Sequence, residues 1–143
     1  MIGKVVIDTN VFVDYLRAGH FEQWVWGGMP GLVRFAPAIA LLELRLGAHT
    51  ELAKDSVAKI ERGFSGRRLV APPPGAYSVA GQVFREVYAV GSEPSDRFSV
   101  INDVLIALTA RDLGAAVLTS NIGEFRRLAA AIPGLRVVSP ADA

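Results

Sequence analysis

Asp8, Glu43, Asp103 and Glu124 are the residues of this chain best suited to chemistry, and three of them stand in apolar company. Asp8 ends the run Val5-Val6-Ile7, Glu43 lies inside Ile39-Ala-Leu-Leu-Glu-Leu-Arg-Leu46, and Asp103 opens onto Val104-Leu-Ile-Ala-Leu-Thr-Ala110. Burying a carboxylate is costly unless a cation or hydrogen-bond donors meet it. On a helix, residues three and four apart share a face. Around Glu43 these are Ile39, Ala40, Leu46 and Gly47, and around Asp103 they are Ser99, Val100, Ile106 and Ala107, with no Lys or Arg among them. Carboxylates gathered around one cleft raise one another's pKa values, and a divalent ion relieves that repulsion. Oxygen-only ligands select Mg²⁺ or Mn²⁺ over zinc. The chemistry implied is that of an enzyme acting on phosphate esters.

Each acid also has a purely structural explanation. Asp8 suits a helix N-cap or an Asx-turn. Glu43 fits a helix face turned to solvent. Asp103 fits the first turn of a helix, where the macrodipole favours negative charge. Asn121-Ile-Gly-Glu124 matches a capping box, with Asn121 as the cap and Glu124 reaching back, and Arg127 is placed for a surface ion pair. The chemical reading therefore rests on the acids converging. His20 and His49 follow helix ends and read as ordinary surface residues.

The elements that would bring the acids together alternate between strand and helix. Lys4 to Ile7, Leu32 to Ala36, Arg68 to Ala71, Ala115 to Thr119 and Leu135 to Val138 read as strands. Helices are expected over Val11 to Arg17, Phe21 to Trp26, from Pro37 to near Gly47, over Leu52 to Phe64, after Pro74 with spacing at Val79, Val83 and Val87, over Val100 to Leu113 with Ser99 as cap, and over Asn121 to Ala130. Gly91 to Arg97 reads as a polar loop. The alternation predicts an α/β fold, a three-layer α/β/α sandwich with a mostly parallel central sheet, in one domain spanning residues 1–143. Ligands of such sheets bind beyond the carboxyl ends of the strands, which is where Asp8, Glu43, Asn121 and Glu124 fall.

Bulk properties narrow the classes. At 143 residues the chain suits one core, and its 51% hydrophobic content is high enough to expect apolar surface covered by a partner. No apolar run approaches the ~20 residues of a membrane span. Met1-Ile-Gly-Lys runs straight into a strand, so no signal peptide is expected. The absence of cysteine excludes disulfides and thiolate metal sites, and a cytoplasmic location is expected. A formal charge of +1 excludes a strongly basic nucleic-acid binder, so any attraction for nucleic acid must be local. Twelve of the fifteen basic residues are Arg, which suits phosphate recognition.

Five segments, in order, carry a family resemblance. Val6-Ile-Asp8-Thr-Asn10-Val-Phe12 resembles the opening motif of the PIN-domain nucleases. Leu42-Glu43-Leu-Arg-Leu-Gly47, Asn102-Asp103-Val-Leu-Ile-Ala107 and Leu118-Thr119-Ser-Asn121-Ile-Gly-Glu124-Phe125 resemble the second, third and fourth motifs of the VapC-type toxins in that superfamily, and Ile132 to Pro140 resembles their tail. The resemblance implies a PIN-like fold and a Mg²⁺-dependent endoribonuclease (Mn²⁺ as substitute) that is the toxin of a type II toxin–antitoxin pair. It also implies a homodimer and a small antitoxin covering the active site. Asp8, Glu43 and Asp103 match the metal-binding acids. Many relatives carry Asp where this chain has Asn121, and some use an acid three residues later, where Glu124 stands. Thr9 and Thr119 match polar residues near the site, with Asn121 as further support.

Other readings remain. A haloacid-dehalogenase-like phosphatase wants a second Asp where Asn10 stands. A receiver domain wants a Lys after a late strand, and the lysines are only Lys4, Lys54 and Lys59. A PIN-like module that binds RNA or protein without cutting is kept alive by Asn121. Arg126 and Arg127 are the candidate RNA-phosphate contacts. Phe21, Trp24 and Trp26 are the candidate aromatic anchors for an antitoxin.

Overall fold

In the computed structural model, which describes residues 3–142, five parallel strands run in the order β3-β2-β1-β4-β5. These are β1 (Lys4–Ile7), β2 (Val33–Pro37), β3 (Leu69–Val70), β4 (Ala116–Leu118) and β5 (Arg136–Val138). Between them lie α1 (Thr9–Ala18), α2 (Glu22–Trp26), α3 (Ala38–Gly47), α4 (Glu51–Gly63), α5 (Pro74–Val87), α6 (Arg97–Asp112) and α7 (Ile122–Ala129). Successive strand side chains point to opposite faces. Val5 and Ile7 accordingly pack with Phe12, Val25, Ile60 and Phe64 from α1, α2 and the α4 region. Val6 packs on the other face with Val104, Leu108, Phe125 and Leu128 from α6 and α7. Both faces are covered, which gives the expected three-layer sandwich. Ile7, Phe12, Ile60, Phe125 and Leu128 are all essentially inaccessible to solvent. Each such side chain contributes about 1.5–3 kcal/mol relative to exposure.

The order of the strands fixes the location of the cleft. From β1 the chain steps outward through β2 to β3, then returns across to β4 on the opposite side of β1. The loops leaving β1 and β4 therefore diverge, and the crevice between them is the switch point at which parallel sheets hold ligands. Leu118 O accepts from the Asp8 N–H at 2.9 Å, so the two strand ends are stitched together where the crevice opens.

Three local expectations change. α6 starts at Arg97, capped by Asp96, whose Oδ1 accepts from the Ser99 N–H at 3.1 Å. Ser99 thus lies inside the helix, and Asp103 sits beyond the first turn, out of reach of the macrodipole benefit. α7 does not form the capping box, because the Asn121 side chain makes no cap bond. The third strand is only two residues long, with Gly66–Arg68 forming a 3₁₀ turn before it. The aromatic segment also takes a different role. Trp24 is buried, and its Nε1 donates to Pro140 O at 3.2 Å, so it is core and not an exposed anchor. Trp26 stays partly exposed, edge-on to Tyr15.

Candidate active site

Asp8 is delivered by the end of β1, where its side chain caps α1 by accepting from the Thr9 N–H at 2.8 Å. Its other oxygen accepts from Thr119 Oγ1, also at 2.8 Å. Thr119 follows β4 and is wholly buried. It accepts in turn from Asn10 Nδ2 at 3.3 Å and from the Asn121 N–H at 2.9 Å. Asn10 Oδ1 accepts from the Ser120 N–H at 3.1 Å. The loops after β1 and β4 are thus tied into one polar network with Asp8 at its centre. Asp8 is only 4% exposed. Burial lifts its pKa to about 6, against the lowering effect of the Thr119 and Thr9 hydrogen bonds, and the Glu43 charge adds to the rise. Desolvation outweighs two good hydrogen bonds because no cation accompanies them.

Glu43 reaches the same cleft from the middle of α3. One carboxylate oxygen accepts from Thr9 Oγ1 at 2.9 Å, and the other is uncommitted among the described residues. Asp103 comes from α6 on the opposite side. Its pKa is raised to about 8, first by burial, then by the charges of Asp8, Glu124, Glu43 and Asp96. The ion pairs among the described residues engage Glu51, Asp55, Glu61 and Glu93, and none engages the four candidate acids.

Asp8, Thr9, Asn10, Glu43, Asp103 and Asn121 line one open cleft of about 250 Å³, with Val13 and Ser99 at its sides. Glu124 does not line this cleft, although its charge is felt at Asp103. Its carboxylate instead accepts from Tyr88 Oη at 2.5 Å. Burial, the Glu124 hydrogen bond and the Glu124 charge together push the Tyr88 phenol up to about 12. Arg127 places its guanidinium 4.8 Å from the centre of the Tyr88 ring, while Arg126 is exposed on the same helix. His20 and His49 are exposed and take no part.

Tyr88, Asn10 and Ser99 belong to this neighbourhood and were not singled out as site residues by sequence. Asn10 carried a signal, a cap-type side chain two residues after a strand-ending Asp. Tyr88 carried none, because its partner is 36 residues away.

The fit to a metal ion is good in chemistry and open in geometry. The donors are carboxylate oxygens, two of them held above the usual carboxylate range for want of positive charge. Among the described residues no three or more His, Asp or Glu side chains close into a ready-made cage. An open array of this kind suits Mg²⁺, which keeps several of its waters and takes few carboxylates directly. Asp8, Glu43 and Asp103 are the residues that could hold such an ion.

A family model described as the PIN domain matches residues 5–131. The chain belongs to the PIN-domain family. No curated protein sequence matches it. Solved structures share its fold. VapBC-1 from nontypeable Haemophilus influenzae is 20% identical, with 96% of this chain and 98% of that one covered and a TM-score of 0.70. DNA-bound VapBC from Salmonella typhimurium is 25% identical, with 98% and 99% covered and a TM-score of 0.64. FitAB bound to a DNA fragment is 22% identical, with 95% and 94% covered and a TM-score of 0.68. PIN domains are generally nucleases, which are hydrolases.

Proposed function

We propose that this PIN-domain protein is a Mg²⁺-dependent endoribonuclease, with Mn²⁺ as substitute, acting as the toxin of a toxin–antitoxin pair in the cytoplasm. The observation that carries the reading is the convergence at the strand switch point. Carboxylates from β1 and two helices line one cleft there without a cation, and two of them are held above the usual carboxylate range. When bound there, Mg²⁺ supplies Lewis acidity and neutralises charge on the phosphoryl group. This chain's own residues do the rest. Thr119 and the Thr9 N–H fix both oxygens of Asp8. Thr9 Oγ1 fixes one oxygen of Glu43 and leaves the second able to take a proton from the attacking water. Asp103 faces the pair from α6. Arg126 and Arg127, two and three residues beyond Glu124 on α7, contact phosphates of the RNA.

Two features support the partners. VapBC and FitAB structures share the fold over nearly the whole chain. A groove of about 400 Å³ starts at Glu43 and runs between α1, α3 and α4, lined by Leu16, Leu44, Leu52 and Val57. An antitoxin segment seated in it would cover the active site. The molecule acts as a homodimer in the same reading.

The test is cleavage of end-labelled RNA by the purified protein with Mg²⁺ or Mn²⁺, with and without chelator. Cleavage should require the ion, and Asp8→Ala or Asp103→Ala should abolish it while leaving the circular dichroism spectrum unchanged. Full activity in either variant would reject the assignment. The alternative, a PIN-like module that holds RNA or protein without cutting, is favoured by one observation. Asn121 and not an acid lines the cleft. A scaffold of that kind would neither bind Mn²⁺ nor cleave.

A further inference from the structure

We infer that Tyr88 is a positioning residue that holds the carboxylate of Glu124, one helical turn after the cleft-lining Asn121, beside the cleft, where it would serve as the fourth acid. The inference rests on the nuclease reading above and concerns the position at which the sequence left Asn121 and Glu124 as alternatives.

Three independent features of the geometry point to it. First, Glu124 is released from its structural role. A capping box would turn its carboxylate back onto the start of α7, but Asn121 makes no cap bond and Glu124 accepts from Tyr88 instead. The 2.5 Å separation lies in the range of a charge-assisted O–H···O⁻ bond. Second, the phenol is immobilised. Tyr88 is 5% exposed, its ring centre is 5.3 Å from that of Phe84, and it packs with Val100 of α6. Arg127 covers the ring face. Third, the tyrosine joins the right elements. It closes α5 as its C-cap, its packing partner Val100 lies one helical turn before Asp103, and its hydroxyl reaches α7. A glutamate on the first turn of a short helix has several rotamers open to it. A bond from a fixed phenol restricts one oxygen and leaves the other for a ligand. Carboxylates that hold metal ions are commonly oriented in this way by a second side chain, and losing that partner typically weakens metal affinity 10–100-fold.

Tyr88→Phe keeps the ring, its stacking and its contact with Arg127, and removes only the hydroxyl. In the full-length protein, Mn²⁺ binding is followed by the electron paramagnetic resonance of the free ion. Tyr88→Phe should unfold near the wild-type temperature yet bind Mn²⁺ about tenfold more weakly. The Mg²⁺ concentration for half-maximal RNA cleavage should rise by a similar factor. Glu124→Gln should erase the effect, so that the double variant binds Mn²⁺ no more weakly than Glu124→Gln alone. Should Tyr88→Phe fail to fold, Glu124→Asp, one methylene short of the phenol, carries the test and should show the same loss. Wild-type Mn²⁺ affinity in Tyr88→Phe, or in Glu124→Asp, or additive losses in the double variant, would overturn the inference. Asp103→Ala tells the two failures apart. If it too binds Mn²⁺ normally, the metal-site reading itself is wrong. If it loses binding while Tyr88→Phe keeps it, only the role of Tyr88 is wrong.

Discussion

Asp8 and Asp103 are carboxylates that the folded protein would rather keep protonated, and this has consequences with a definite sign. Their folded pKa values, about 6 and about 8, lie above the ordinary carboxyl value of 3.8. The folded state therefore holds more protons than the unfolded state over that interval, and stability falls as pH rises through it. In chelator, the contribution of these two groups is lost progressively as pH rises through about 6 and then about 8, and it is gone only above that, where both are ionised in either state. Thermal melts of metal-free protein should show a falling midpoint from about pH 6 to pH 8. Asp103→Asn, neutral at every pH, should raise the midpoint at the upper end and flatten the profile. A variant that melts below wild type at pH 8 would contradict the raised pKa. The same residues show what was legible in sequence and what was not. Asp8, Glu43 and Asp103 stood out because apolar neighbours made a charge conspicuous. Tyr88 did not, because a tyrosine closing an apolar helix looks like core until its hydroxyl is traced across space.

At the scale of elements, α6 shows why helix starts are hard to read. Asp96 and Ser99 are both good N-caps, three residues apart, and Arg97 and Phe98 between them are exposed, so the first turn resembles loop. The structure chooses Asp96, which moves Asp103 from the first turn into the helix body. That removes the macrodipole as a sufficient reason for an acid there and leaves desolvation uncompensated. The cap is thus part of how the site is positioned. Asp96→Ala should cost about 1 kcal/mol, or about 2–4 °C in melting temperature. Ser99→Ala should cost less, because its backbone N–H is the donor in the cap. Equal losses in denaturant titrations would return the cap to Ser99. Strands were easier to read than helix ends. β1 and β4 are fully apolar at their paired positions, as a doubly covered sheet requires. The two-residue β3 and its 3₁₀ turn were not separable from a strand by composition alone.

For the whole molecule, the strand order ties stability to function. β1 and β4 are adjacent in the sheet yet distant in sequence, and their loops carry Asp8 on one side and Thr119 with Asn121 on the other. Nothing in the local pattern of either segment reveals that neighbour relation. The family resemblance implied a PIN-like fold, and the register Val6 to Val117 and Ile7 to Leu118 supplies the pairing itself. A fold that places two buried, unpaired carboxylates, Asp8 and Asp103, in one cleft should be stabilised by whatever neutralises them. An ion that binds only the folded state adds about 2.7 kcal/mol when present at 100 times its dissociation constant. For a chain of this size that corresponds to a rise of about 5–10 °C in melting temperature. The rise on adding Mn²⁺ should be larger near pH 8 than near pH 6, because at the lower pH protons compete for Asp8 and Asp103. It should vanish in an Asp8→Asn/Asp103→Asn double variant. That variant should also melt higher than wild type without metal, since the repulsion is gone. A metal-induced rise of equal size in the double variant would mean that the ion acts elsewhere on the molecule, and the cleft would lose its claim to be the metal centre.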